Sequence, residues 1–397
     1  MLMRILRLIS TLLFLSGGND NQANTVIPLS KKTSKIKTTQ ETESPKTLRL
    51  MFAGDIMSQL IQIESAQVGN NEYNYDPCFR YIRPIFEQAD LVIGNLECTL
   101  SDKPPYTGFP NFRSPDQLAA ALKKGGFDVL VTANNHALDG GLNGLNHTIE
   151  TVRESGFVQT GTFKNEAYKN LLYPLIVYKN GFKIALLNYT HHTNGYGTPN
   201  PSVVNRLDME KVKKDLQKAK NMQADFVITF LHWGNEHHIN EGSEQRGVAQ
   251  LLHQWGSNLV VGSHPHVVQP IKNQIVTINK KSYSQLTAYS LGNFISSQPF
   301  VNTEGGIVFE VNIKKQQNQT SIDNYFYIPV LRYTPRENGK TRYYALPVSP
   351  FENNESAIKM PANEKTKMLN FAHRIRTQLG AHGAKEHKFS LNEILID

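Results

Sequence analysis

Cysteine is nearly absent from this chain. Cys78 and Cys98 are the only two among 397 residues, too few for a disulfide framework or a cysteine-rich metal module. They read as buried core thiols, with one bridge closing the 20-residue interval between them as the alternative. The glycines form no P-loop or similar nucleotide fingerprint, which speaks against ATP-driven ligation by this chain alone. Surplus charge is scarce as well. Lys and Arg outnumber Asp and Glu by 42 to 34, a net +8; residues 1–49 hold eight of these cations against three acids, so +5 lies there and +3 in all that follows. So weakly basic a body leaves no electrostatic footprint for nucleic acid. No internal repeat is present. What remains is an ordinary globular composition, 39% apolar, enough for a substantial core in one domain or two.

The N-terminus sets Arg4 and Arg7 ahead of a short apolar run, Leu8 to Leu15, with small residues to Gly18, the layout of a secretory signal. The run falls short of the roughly 20 apolar residues of a membrane helix. Export with cleavage of residues 1–18 is expected, to the periplasm or cell envelope, with an uncleaved signal as the other case. No Cys follows the small residues, so no lipoprotein attachment is expected. Residues 19–47 are polar and read as a disordered tether. From Leu48 apolar runs alternate with helical stretches, an α/β pattern extending to about residue 350. Helices are expected from Ser114 as N-cap, with Pro115 at its first position, to Lys124; from about Asn143 to Glu154; from near Asp208, burying Val212, Leu216 and Ala219; and from Glu244 to Trp255. Late strands at Thr287–Ser290 and Gly306–Ile313 read as a second sheet or its edge, and residues 351–397 as a polar tail with a helix. The loop His191–Pro201, dense in Gly, Asn and Pro, is a candidate lid.

Five apolar runs end in oxygen or nitrogen donors: Gly54-Asp55, Asn95-Leu96-Glu97, Asn134-Asn135-His136, His232-Trp233-Gly234 and Gly262-Ser263-His264-Pro265-His266. Strand C-termini facing one crevice deliver ligands from distant parts of a chain to one point. Asp55, Glu97, Asn135, His232, His264 and His266 meet that description. Their mixture of carboxylate, imidazole and amide oxygen suits Mn, Fe or Zn, and two such ions would clamp a phosphoryl group and activate a water. Each motif also has an innocent reading: Gly54-Asp55 as a helix N-cap, Asn134-Asn135 as a turn, His232 as a core histidine. His191, His192, His237 and His238 fall in loop sequence at the rim or lid; His147 and His253 fall in helices as structural residues.

These motifs, with Ile56-Met57 after Asp55, Asp139 after His136 and Ser290-Leu291-Gly292-Asn293-Phe294, resemble in order the motif series of bacterial capsule-synthesis proteins of the CapA (PGA_cap) type, from about Leu48 to Phe294. The resemblance implies a fold like that of calcineurin-like metallophosphoesterases, a four-layer α/β sandwich of two sheets flanked by helices, and a link to making or exporting poly-gamma-glutamate. It implies that Asp55 and His266 serve a first metal, Asn135, His232 and His264 a second, and that Glu97 bridges them. His136 would meet the leaving group or transition-state charge, oriented by Asp139. The phosphoesterases usually carry Asp-x-His on the first strand, whereas Met57 stands here at the His position, so the first site is expected to be the weaker. Arg113, Arg206 and Asn293 are the substrate-binding candidates. The leading expectation is a metal-dependent hydrolase acting on an anionic polymer or phosphoester, alongside other capsule-assembly proteins at the membrane. The alternative is a non-catalytic envelope module that binds the polymer.

Overall fold

The computed structural model describes residues 44–278, 281–353, 358 and 360–394. The expected signal, residues 1–18, and residues 19–43 of the expected tether lie outside the described residues. The first strand, Lys46–Ile56, begins two residues before the expected tether ends. From Leu50 it is buried on both faces. It forms the middle of a nine-stranded sheet counted among the described residues. On one side it runs parallel to Leu91–Leu96, which is followed by Val129–Val131 and Val158–Thr160, also parallel. On the other side it runs antiparallel to Gly305–Gln316, followed by Gln319–Tyr333 and Tyr344–Pro347.

A second, six-stranded sheet has Phe182–Thr190, Phe226–His232 and Leu259–Ser263 as parallel neighbours, with the hairpin Ile271–Ile278 and Lys281–Ala288 at one edge and Leu175–Lys179 at the other. Period-two alternation decides what each face of it meets. Ile184, Leu186, Ile228, Phe230, Leu259 and Val261 join the large core that also holds Leu50 and Phe52 of the first sheet. Ala185, Leu187, Leu231 and Val260 face the other way, onto Val212, Leu216 and Ala219 of helix Met209–Asn221 and Ala249 and Leu252 of helix Ser243–Gln254. The fold is therefore an α/β sandwich of two sheets flanked by helices, as expected.

Three expectations are corrected. Ser114 caps no helix: it pairs with Leu100 in the short strand Arg113–Pro115, and the helix is Gln117–Lys124 with Asp116 at its cap position. The late strands do not form one edge, because the Lys281–Ala288 strand joins the second sheet and Gly305–Gln316 lies beside the first strand. The C-terminal segment is not a polar tail. Helix Ala362–Gly380 buries Met368, Phe371, Ala372, Ile375 and Leu379, and Lys385–Glu386 adds a strand to the first sheet. Cys78 and Cys98 are free thiols, half-buried and buried, each pushed up to about 12 by desolvation.

Candidate metal centre

Parallel strands share a direction, so their C-terminal ends meet on one side of the sandwich. Asp55, Asn95 with Glu97, and Asn134 to His136 leave the first sheet there; His232 and the turn after Ser263 leave the second. The close approach requires residues without a Cβ at two points. A Cβ on Gly54 would lie 2.0 Å from the Gly292 carbonyl oxygen, and one on Gly262 would lie 2.0 Å from that of Tyr289 and 2.4 Å from Trp233 Nε1. The turn itself is strained: His264 and His266 have φ of +99° and +59°. Side chains other than Gly seldom adopt that region, and each such residue costs about 1–3 kcal/mol that the surroundings must offset.

The six expected ligands come together in one buried group. His232 Nε2 lies 2.7 Å from Asn135 Oδ1, 3.1 Å from His264 Nδ1 and 3.4 Å from Glu97 Oε1. His266 Nδ1 lies 3.0 Å from Asp55 Oδ2, and its Nε2 3.9 Å from Glu97 Oε1. Donor atoms held about 2.0–2.2 Å from one cation stand roughly 3–3.5 Å from each other, so these separations suit shared coordination. Among the described residues three groups have candidate ligand atoms within 4.8 Å of one another, two of them made of the expected ligands: Asp55, Glu97 and His266, and Glu97, His232 and His264. Glu97 belongs to both. Its side chain has no exposed surface, and Oε1 has no hydrogen-bond partner. A buried carboxylate oxygen left so is costly unless a cation satisfies it.

The electrostatics fit the same group. Burial raises Asp55, but the hydrogen bond and charge of His266 and the charge of His232 outweigh it and hold Asp55 well below the usual carboxylate range. Burial and the neighbouring Asp55 charge push Glu97 well above that range. Burial, then the charge of His264, drives His232 well below the usual histidine value; burial, then His266, lowers His264 to about 3. Both imidazoles are thus neutral at neutral pH with lone pairs to give, while Glu97 lacks the positive partner that would ionise it.

Around the ligands stands a supporting layer. Asn95, missed as a site residue although its motif was recognised, donates from Nδ2 to Asp55 Oδ1 at 2.8 Å. Asn134 donates to the Leu96 carbonyl at 2.7 Å, and Ser263 Oγ lies 3.1 Å from His232 Nδ1. His136 Nδ1 lies 2.7 Å from Asp139 Oδ2, which also accepts from the Phe112 backbone at 2.6 Å, and the His136 ring packs edge-on to Phe112. Glu236, passed over in the sequence as a loop residue, has a carboxylate oxygen within 4.8 Å of ring nitrogens of His264 and His266.

The three substrate-binding candidates are occupied within the chain. Asn293 is buried behind His266, its Oδ1 3.2 Å from Nδ1, and donates to Gln298 and Thr303. Arg113 donates to Ser101 Oγ at 2.7 Å. Arg206 donates to Thr193 Oγ1 and to the Tyr196 carbonyl, so it ties down the expected lid. That loop reaches the centre: the His192 ring is 5.1 Å from that of His264, and Asn135 donates to Asn194. His147 and His253 are held by Asp116 and by Ser257 and Thr287, as structural residues.

The PGA biosynthesis protein CapA of Bacillus subtilis is 28% identical over 366 residues, covering 87% of this chain and 83% of its own. The capsule biosynthesis protein CapA of Bacillus anthracis is 28% identical over 304 residues, 74% of this chain and 69% of its own. Among solved structures, the calcineurin-like phosphoesterase YfkN of Bacillus subtilis aligns over 83% of this chain and 98% of its own, at 12% identity and a TM-score of 0.44. The model of the family described as bacterial capsule synthesis protein PGA_cap matches residues 49–298. That span exceeds half the chain and holds every expected ligand from Asp55 to His266, so the protein belongs to the PGA_cap family of bacterial capsule synthesis proteins.

Proposed function

We propose that this chain is an exported metal-dependent hydrolase that cleaves a phosphoester or related acyl bond during synthesis or export of an anionic polymer such as poly-gamma-glutamate. Support for the context comes from relatives named for PGA and capsule biosynthesis, and for export from the arginines and apolar run at the N-terminus. Support for the chemistry comes from one observation above the rest: Glu97, wholly buried, turns an unpartnered oxygen toward imidazole nitrogens of both His232 and His266. Two divalent cations, Mn, Fe or Zn, would polarise there a water and the oxygen of the scissile group. Asp55 and His266 would hold one, Asn135, His232 and His264 the other, and Glu97 both. With Nδ1–H held by Asp139, His136 in its doubly protonated form would give its Nε2 proton to the leaving group and regain one from solvent afterwards. Arg206 ties down the loop that brings His192 and Asn194 to the edge of the centre.

Elemental analysis and turnover of one preparation test this. The purified protein is expected to carry Mn, Fe or Zn and to hydrolyse an aryl phosphate or diester with added Mn. His136→Ala should slow turnover by about 10²–10⁴-fold with metal content kept, the usual worth of a positioned acid or base. Metal-free wild-type protein would defeat the reading. Tight retention of poly-gamma-glutamate without turnover of either ester would favour the binding module instead.

A further inference from the structure

Met57, which stands where the resemblance places an imidazole, gives nothing to the centre. It is buried, lines a small core cavity with Ala66, Tyr75 and Cys78, and its sulfur accepts from Ser296 Oγ at 3.7 Å. The set formed by Asp55, Glu97 and His266 is left with two carboxylates and one imidazole.

The segment after His232 supplies another donor. Trp233 is fixed by a hydrogen bond from Nε1 to the Tyr289 carbonyl at 2.9 Å. The chain turns at Gly234, and His237 donates its backbone N–H to the Pro265 carbonyl at 2.8 Å. That bond clips the stretch holding Glu236 onto the turn that carries both histidines. The Glu236 carboxylate and ring nitrogens of His264 and His266 consequently lie within 4.8 Å of one another. His264 belongs to one cation set and His266 to the other, so Glu236 reaches both from the exposed side while Glu97 reaches both from the buried side. Its carboxylate takes no hydrogen bond or ion pair among the described residues. An exposed glutamate gains little from standing beside two imidazole rings in water, but it gains much if a cation lies between its carboxylate and their ring nitrogens.

We propose that Glu236 is a further ligand of the centre, closing on its solvent side the coordination that Met57 does not provide. The assignment rests on the two-cation reading, and the experiment separates the two. Chelator-stripped wild type and Glu236→Gln are titrated with Mn by calorimetry, and the loaded proteins are compared by electron paramagnetic resonance. Wild type should take up two Mn with the spectrum of a coupled pair. Glu236→Gln should bind one of them roughly tenfold more weakly or worse, since even groups behind the ligands are worth about 10–100-fold in affinity. The coupled signal should give way to that of an isolated ion. Two Mn bound by Glu236→Gln at wild-type affinity would overturn the assignment and leave the centre standing. Fewer than two in wild type would overturn both. As Glu236 is exposed and unpaired, the stripped variant should melt with stripped wild type; a lower melting temperature would make the residue structural and also overturn the assignment.

Discussion

Two carboxylates lie side by side out of water at this site and behave oppositely, because partners and not burial alone set their charge. Asp55 has His266 in hydrogen-bond contact and the charge of His232 to stabilise its anion; Glu97 faces Asp55 and keeps Oε1 without a hydrogen bond. Glu97→Gln keeps nearly the same shape and replaces a buried carboxyl, which burial and the Asp55 charge keep from ionising, with a neutral amide. Chelated protein should therefore be no less stable, while the rise in Tm on adding Mn should disappear, as thermal melts with and without the ion will show. The histidines set a pH dependence. In the unfolded chain they take protons near the usual 6.5, but His232 and His264 in the fold resist them, His264 down to about 3. Their stabilisation is full above 6.5 and is lost as pH falls toward 3. Glu97 works in the other sense: raised in the fold, it favours the folded state at low pH and loses that contribution as pH rises above the unfolded value of 4.5. The Tm of chelated protein should fall between pH 7 and 5, less steeply in His264→Gln and more steeply in Glu97→Gln.

At the scale of the element, the site depends on strands and turns that meet where no side chain fits. Gly262, next to last in its strand, lies against the Tyr289 carbonyl and the Trp233 indole, and the indole stacks on the Tyr289 ring at 6.0 Å. Neither neighbour can yield cheaply. Gly262→Ala should cost about 1–3 kcal/mol by overpacking, read from the urea midpoint, and should weaken Mn binding by shifting His264 and His266. Helix Met209–Asn221 makes a contrasting case, distant from the chemistry. Asp208 caps it by accepting from the Glu210 and Lys211 backbone, so Asp208→Ala should cost about 1 kcal/mol and leave Mn binding unchanged. The start of this helix near Asp208 was legible in the sequence, because the spacing of Val212, Leu216 and Ala219 is local. Ser114 carried a local cap signal and does not cap, because pairing with Leu100, a residue 14 positions earlier in the chain, claims its backbone.

For the molecule as a whole, the C-terminal helix is part of the core. Its buried Met368, Phe371, Ile375 and Leu379 are worth roughly 6–12 kcal/mol at about 1.5–3 kcal/mol each, an upper bound that rivals the ~5–15 kcal/mol stability of a typical domain. A chain ending at Asn353 should therefore fail to fold, which soluble yield and resistance to proteolysis will report, whereas an expendable tail would leave both unchanged. The sequence hid this because the large buried residues are spread among charged and polar ones over 19 helical positions, which look polar on average. By itself the sequence determined the α/β alternation, the five strand ends and the six donors they carry, since a strand's end and its last residues are local facts. The shared place of Glu97 was implied by the resemblance, but only the tertiary structure decided that its Oε1 is left without a hydrogen bond between two sets of donors, that Asn293 backs His266, that Arg206 holds a loop, and that Glu236 reaches the centre. Each of those depends on the distance between atoms from different elements, and that distance is fixed by how two sheets pack and where one backbone clips another.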